Sequence, residues 1–416
     1  MKYKKVKLGD YFKFEKGLGY KGEYLSEESQ VGLIGMDSHE EGGGYKQNSE
    51  KPYTGPYKPE HIASTGDVIF AATEQGFGLL ASPLMVPESE KFQTFIFSHH
   101  VLKAFPIQEG FLLEYLYNMF RVERFRSRAA YGDSGTTVRA LPAEVLEEQV
   151  VPLPDLLIQH SINEIIAMMD QQIGNNKALS SSLEKLTQTI FKSWFIDFDP
   201  VKAKMNGEKP IGMGDETAAL FPDSFEESEL GLIPKGWEAN HLGNLITPKK
   251  GRTITKATCV YGGVPVVAGG LQPAYFHNKA NVSAPVVTIS ASGANAGFVR
   301  LYLEDIWASD CSFVSREITG QVFYWYLFLS RNQEQIYGMQ QGAAQPHIYP
   351  SDLMRLKICT PDSIDLISRF EETVSPLFLE IGALEKTSAV LSEIRDSLLP
   401  RLISGSLQIP EEMLAS

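Results

Sequence analysis

The chain has 416 residues, 43% of them hydrophobic and 21% charged, with 38 basic and 51 acidic side chains and a net charge of −13. That composition suits a soluble globular protein of two or three domains and excludes fibrous and wholly disordered chains. Three widely spaced cysteines, Cys259, Cys311 and Cys359, argue against a disulfide framework and for a reducing, cytoplasmic setting; MKYKKVKLGDYF lacks the apolar core of a signal peptide, and the longest apolar stretch, at 322–329, is too short for a membrane.

In chain order, VIFAAT (68–73) and FIFSHHVLKAF (95–105) read as strands, EQGFG (74–78) as a turn and 109–127 as a helix. After VVPLPDL (150–156), apolar residues recur at 162, 165, 166, 169 and 173, then at 179, 183, 186, 190 and 194. That is helical spacing, and one helix over 158–198 would be about 60 Å long. Residues 201–235 are polar and rich in Gly and Pro, as in a linker, with Phe221, Phe225 and Trp237 packing at its ends. VVTIS (286–290) and IWASDCSFVS (306–315) again read as strands, SGANAG (292–297) as a turn and 320–337 as a helix, followed by a second helical stripe from 366 to 402.

The chain is written twice. With an offset of 208, Pro142 falls on Pro350, Gly174 on Gly382, Phe191 on Leu399 and Trp194 on Leu402; at the front, Val6–Asp10 resembles Asn240–Asn244. The expected fold is α+β: two similar α+β lobes separated by two long antiparallel helices with pseudo-twofold internal duplication. The paired Gly174 and Gly382 suggest close helix approach, with a local break at Gly174-Asn175-Asn176 as the other reading.

Charge is uneven: residues 235–300 carry a local net of +6 and residues 1–25 of +4, against −6 for 361–416. Either basic patch could be a solvated face or a polyanion contact. There is no Walker A, Gly-x-Ser-x-Gly, His-Glu-x-x-His or methyltransferase-type Pro-Pro tetrapeptide. His99-His100, adjacent on a strand, would point to opposite faces and could not chelate one ion together. Duplicated lobes at a fixed spacing suit the reading of two segments of DNA about one helical turn, roughly 34 Å, apart or a multiple of it.

GTTVRALPAEVLEEQVVPLPDLLIQHSINEII (135–166), GAAQPHIYPSDLMRLKICTP (342–361), LEKLTQTIFKSWFIDFDPVKAK (183–204) with LGLIPKGW (230–237), and LLPRLISGSL (398–407) resemble the specificity (S) subunits of Type I restriction-modification systems. The resemblance implies target-recognition domains at 1–155 and 236–362, spacer helices at 156–200 and 363–405, a linker at 201–235 and a tail at 406–416. It implies a subunit that is not itself an enzyme, reads an asymmetric bipartite target in double-stranded DNA, and docks two modification (methyltransferase) subunits. No cofactor would bind this chain: S-adenosylmethionine would belong to the methyltransferase subunits, ATP and Mg to the restriction subunits of the full complex. No membrane is involved. The competing functions are a duplicated protein- or glycan-binding scaffold and a bifunctional methyltransferase or nuclease.

Candidate DNA contacts follow from charge and reach. Lys249, Lys250, Arg252 and Lys256 lie in a Gly-flanked loop of the second lobe, and Lys16, Tyr20 and Lys21 in its counterpart. Arg139 and His347 lie in matching junction turns with Thr136, Thr137 and Gln345, where they could read bases or cap the long helix. Asn295 could contact a base or stabilise its turn. Arg121, Arg124, Arg126 and Arg128 could follow a phosphate strand or form a solvated helix face. The resemblance places the methyltransferase contact on the outer faces of the long helices, with Phe191, Trp194 and Phe198.

Overall fold

The computed structural model describes all residues except 1–2, 75–77, 131–138, 343–345, 411, 413 and 415–416. The chain divides into two compact units, one comprising Met1–Gly174 with Ala389–Ser416 and the other Asn175–Ser388. Among the described residues no helix is long and apolar enough to cross a membrane.

The two units repeat one topology. In the first, an antiparallel sheet runs in the order Phe12–Lys16, Val101–Pro106, Val68–Ala71, Pro83–Met85. In the second, the order is Lys249–Lys250, Cys311–Ser315, Val286–Ser290, Val299–Tyr302. Each unit adds a smaller sheet around one parallel pair: Val31–Ile34 with Thr94–Phe97, and Val264–Val267 with Trp307–Ala308. Each also pairs its first strand with the strand before its long helix: Lys4–Lys7 with Val150–Leu153, and Trp237–His241 with Lys357–Pro361.

The central strands Val68–Ala71, Val286–Ser290 and Cys311–Ser315 are buried at every position, because both faces of the sheet are covered. That is why Val68–Ala71 reads as a continuous apolar run, while Val286–Ser290 and Cys311–Ser315 bury Thr288, Ser290, Ser312 and Ser315 among their apolar residues. One cover is a helix in each unit, Leu113–Arg121 and Val322–Arg331. The second is apolar almost all round and has seven buried residues, as a fully enclosed helix must. Both segments expected as single strands are interrupted, at Ser98-His99-His100 and at Ser309-Asp310.

The long helices are Leu156–Phe195, 40 residues, and Ile364–Ser404, 41 residues, each about 60 Å at 1.5 Å per residue. The first runs unbroken through Gly174-Asn175-Asn176. Among the described residues nothing lies within 4 Å of a Cβ placed on Gly174, so they make no close approach there, whereas one on Gly382 would sit 3.2 Å from Leu303 Cβ. In the second unit the helical segments run antiparallel: Asn176 Nδ2 donates to Ser388 Oγ at 3.2 Å, and Phe191 meets Phe370 further along.

Each lobe is pinned to a long helix by a buried polar side chain that caps the covering helix. In the first unit Gln159, fully buried, accepts from the Leu112 N–H at 2.9 Å and donates to the Gly110 and Pro154 carbonyls. In the second, the Glu371 carboxylate accepts from the N–H groups of Phe323 at 3.1 Å and Tyr324 at 2.9 Å. Both satisfy helix N-terminal donors that would otherwise be orphaned.

Residues 201–235, polar in composition, are built into the second unit. They contain the end of the helix Asp199–Met205, the helix Asp215–Ala219 and a hairpin of Phe225–Ser228 with Gly231–Pro234. Phe221 and Ile233 join the core around Trp194, Phe195 and Trp237.

Candidate nucleic-acid interface

In the first unit the strand Phe12–Lys16 ends at Gly17, where a Cβ would lie 2.0 Å from the Phe97 carbonyl oxygen. Only glycine allows that approach. The Leu18 N–H then donates to Phe97 O at 2.8 Å, and the His99 N–H to Leu18 O at 3.0 Å. Lys16 and Tyr20 are thereby held beside the His99-His100 turn, with the Tyr20 and His99 rings 6.1 Å apart. Lys21 is exposed and sits 3.6 Å from Glu23.

The two histidines lie in a turn, not on a strand, so their rings lie against each other, centroids 3.9 Å apart and tilted by 39°. His100 Nδ1 meets Thr73 Oγ1 at 3.2 Å. A cavity of about 170 Å³ opens here, lined by Tyr20, Met36, Asp37, Ser49, Lys51 and His100 among others. Partial burial, then the neighbouring His99, push the His100 imidazole below its ordinary value; Lys16 and Lys51 act the same way and Asp37 opposes them. Among the described residues no group of His, Cys, Asp and Glu could hold a metal ion.

The second unit repeats this edge. Gly251 follows Lys250, and its Cβ would lie 2.3 Å from the Ser309 carbonyl oxygen. The Arg252 N–H donates to Ala308 O at 2.9 Å, and Trp307 Nε1 donates to Arg252 O at 2.8 Å. These bonds fix the backbone and leave the Lys249, Lys250, Arg252 and Lys256 side chains exposed; Lys249 is 3.5 Å from Glu317. Gly251→Ala is expected to destabilise the protein by about 1–3 kcal/mol through this clash. Gly263→Ala, with open space around the added Cβ, is expected to stay within about 0.5 kcal/mol. Thermal unfolding of the two variants checks the difference.

Hydrogen-bond register aligns the two edges residue by residue. Lys16 pairs with Leu102 and Lys250 with Ser312. The Ala72 N–H donates to His100 O as the Ala291 N–H donates to Asp310 O, so His100 and Asp310 are equivalent. Thr73 and Ser292 follow, and the Ser292 hydroxyl donates to Asp310 Oδ2. The Leu141 N–H donates to Ala72 O as Ile348 N–H does to Ala291 O. His347, bridged to Ser292, therefore matches Ala140, which pairs with Thr73, and not Arg139. The offset across these junctions is 207, one less than on the long helices, because Ser363 is an extra residue before the second helix.

Arg139 stands on the short strand Arg139–Ala140, half-buried. His347 stacks on Tyr349, with centroids 6.1 Å apart. Asn295 lies in the turn, where its backbone carbonyl accepts from the Phe298 N–H at 3.0 Å. Thr136, Thr137 and Gln345 lie outside the described residues. Arg121 is committed to Asp170, and Arg126 to the carbonyls of Gly42, Phe120 and Arg121, so neither is available to follow a phosphate strand.

The expected partner contact needs correction. Phe191 and Trp194 are 3% and 6% exposed, covered by Phe370, Phe221 and their neighbours, because the linker folds over the aromatic end of the helix. Phe198 is half-buried and lines an open cavity of about 360 Å³ with Ile196, Leu230, Leu232 and Phe328. Leu232 there is 62% exposed. The residues that sequence reasoning missed, Thr73, Lys51, Ser292 and Asp310, carry no motif; only the repeat register brings them to notice.

Residues 234–365 match the family described as the Type I restriction modification DNA specificity domain. The Type I restriction enzyme MjaIX specificity subunit of Methanocaldococcus jannaschii is 25% identical over 326 residues, 73% of this chain and 71% of its own length. The Type I restriction enzyme HindI specificity subunit of Haemophilus influenzae is 25% identical over 318 residues, 61% of this chain and 68% of its own length. The crystal structure of a Type I restriction-modification system S subunit from M. genitalium covers 98% of this chain and 97% of its own, with a TM-score of 0.58 at 15% identity, a likeness of fold. The resemblance to Type I specificity subunits holds on these matches.

Proposed function

We propose that this chain, a relative of Type I specificity subunits with a DNA specificity domain at 234–365, is the non-catalytic DNA-recognition subunit of a Type I restriction-modification complex. Each unit reads one half of an asymmetric bipartite site in double-stranded DNA, and the paired long helices set the gap. Two methyltransferase subunits, carrying S-adenosylmethionine, dock on the chain; the groove at Ile196, Phe198 and Leu232 is the apolar surface that suits them. Restriction subunits bring ATP and Mg. The complex works in the cytoplasm.

The observation that supports this reading is the repeated edge: a lysine, an obligatory glycine and a rigid, exposed loop at the same place in both units. Phosphate contacts need cations held in register rather than a catalytic constellation. DNA binding by the complex with its methyltransferase, measured against salt concentration, is the test. Each of Lys249→Ala, Lys250→Ala, Arg252→Ala and Lys256→Ala that removes a phosphate contact should lower the log–log salt slope by about 0.9. If all four leave slope and affinity unchanged, the loop is a solvated face. A scaffold for protein or glycan predicts no salt-dependent DNA affinity at all.

A further inference from the structure

The two equivalent positions beside the cationic edges share a chemical property that their residue types hide. The Thr73 hydroxyl donates its one proton to Met36 Sδ at 2.8 Å. Its oxygen is then the acceptor for His100 Nδ1 at 3.2 Å. With the hydroxyl proton on Met36 Sδ, the tautomer that completes this chain carries its proton on Nδ1 and presents Nε2, which has no partner among the described residues, as an acceptor. In the second unit the Ser292 hydroxyl donates to Asp310 Oδ2. Oδ1 is left as a bare acceptor, again with no partner among the described residues. Both side chains are half-buried, held by a hydroxyl from the neighbouring strand end, and adjacent to the exposed cations of their own edge. In the first unit His100 lines the cavity together with Tyr20, Asp37 and Lys51.

Resting on the DNA-recognition reading, we propose that His100 and Asp310 are the paired base-reading residues of the two units, each accepting a hydrogen bond from the exocyclic amino group of an adenine or a cytosine in the major groove. Adenine N6 and cytosine N4 are the donors that groove offers; guanine and thymine present acceptors there. Phosphate contact by the flanking lysines sets the register, and the acceptor supplies the sequence information. Burial, then the neighbouring His99, lowers the His100 imidazole below its ordinary value and so favours the neutral form that this role needs.

The test is the methylated motif of the complex with its methyltransferase, read by single-molecule sequencing, for the wild type, His100→Ala, Asp310→Ala, His100→Arg and Asp310→Arg. The wild-type motif should hold an adenine or cytosine at one position of each half that relaxes in the matching alanine variant. Discrimination at that position should fall by roughly 5- to 150-fold, with every other position unchanged. Arginine, a donor only, should shift the same position toward guanine. His100→Asp, which keeps an acceptor, should retain the wild-type base. A motif unchanged in both alanine variants overturns the proposal. So does a uniform loss of modification at all positions in a variant with wild-type melting, since that marks a structural pin. A wild-type complex that marks no gapped motif removes the recognition reading itself, a separate failure.

Discussion

Asp170→Ala is expected to cost about 2–3 kcal/mol of stability in the first unit. Asp170 joins Arg121 of the covering helix, at 2.5 and 3.0 Å, to Arg395 of the second long helix, at 2.7 Å. The two guanidinium side chains are 9% and 19% exposed, so removing the carboxylate strands Arg121 in a poorly hydrated place and leaves Arg395 with Asp396 alone, at 2.8 Å. Asp170 itself is 35% exposed, which keeps the cost below that of a fully buried triad. Burial alone would raise its carboxyl, but the bonds and charges of Arg121 and Arg395 outweigh that and hold it below the ordinary value of 3.8. A depressed folded value means the stabilisation is complete above 3.8 and is lost as pH falls through the folded value. Denaturant unfolding should therefore show the variant weakest relative to wild type at pH 7, with the gap closing in acid. A gap that stays constant down to pH 3 would contradict the ion-pair account.

Glu371→Ala should be as severe, at about 2–4 kcal/mol, because it leaves two N–H groups at a buried helix start without acceptors. Glu371→Gln should cost less than alanine, about 1–2 kcal/mol at pH 7, because each carboxylate oxygen holds one of the two N–H groups and the amide keeps one acceptor while setting its NH2 against the other donor. Burial pushes the Glu371 carboxyl up against the opposing pull of the Tyr324 and Phe323 N–H groups and Arg316. With a raised folded value, its stabilising contribution is full below the ordinary 4.5 and declines as pH rises through the folded value. The glutamine variant should lose that pH dependence. Calorimetric unfolding at several pH values checks both statements; equal destabilisation by alanine and glutamine would show that the carboxylate has a role other than capping.

The duplication was legible because periodic apolar positions survive repetition: Gly174 with Gly382 and Trp194 with Leu402 keep a common offset along two uninterrupted helices. The junction register was not, because a single extra residue, Ser363, shifts the offset by one and moves the partner of His347 from Arg139 to Ala140. The Gln159 and Glu371 caps were invisible for a related reason: a polar residue inside a helical stripe reads as solvated until the element it caps is placed. Phe191 and Trp194 were read as partly exposed because the linker that buries them is polar in composition, and three apolar side chains, Phe221, Phe225 and Ile233, with Trp237 just beyond it, are enough to fold it back. Lys249, Lys250, Arg252 and Lys256 were legible as a cluster, but the Asp310 acceptor beside them, like His100 beside Lys16, depends on hydrogen bonds between strand ends distant in sequence.

The most direct measurement is the methylome of a host that expresses this chain with its methyltransferase, compared with one in which residues 242–345 are exchanged for those of a relative. The account predicts an asymmetric, gapped motif, one half of which changes with the exchange while the other half and the gap stay. A motif that keeps both halves after the exchange, or that changes in both, would contradict the assignment of one half-site to each unit.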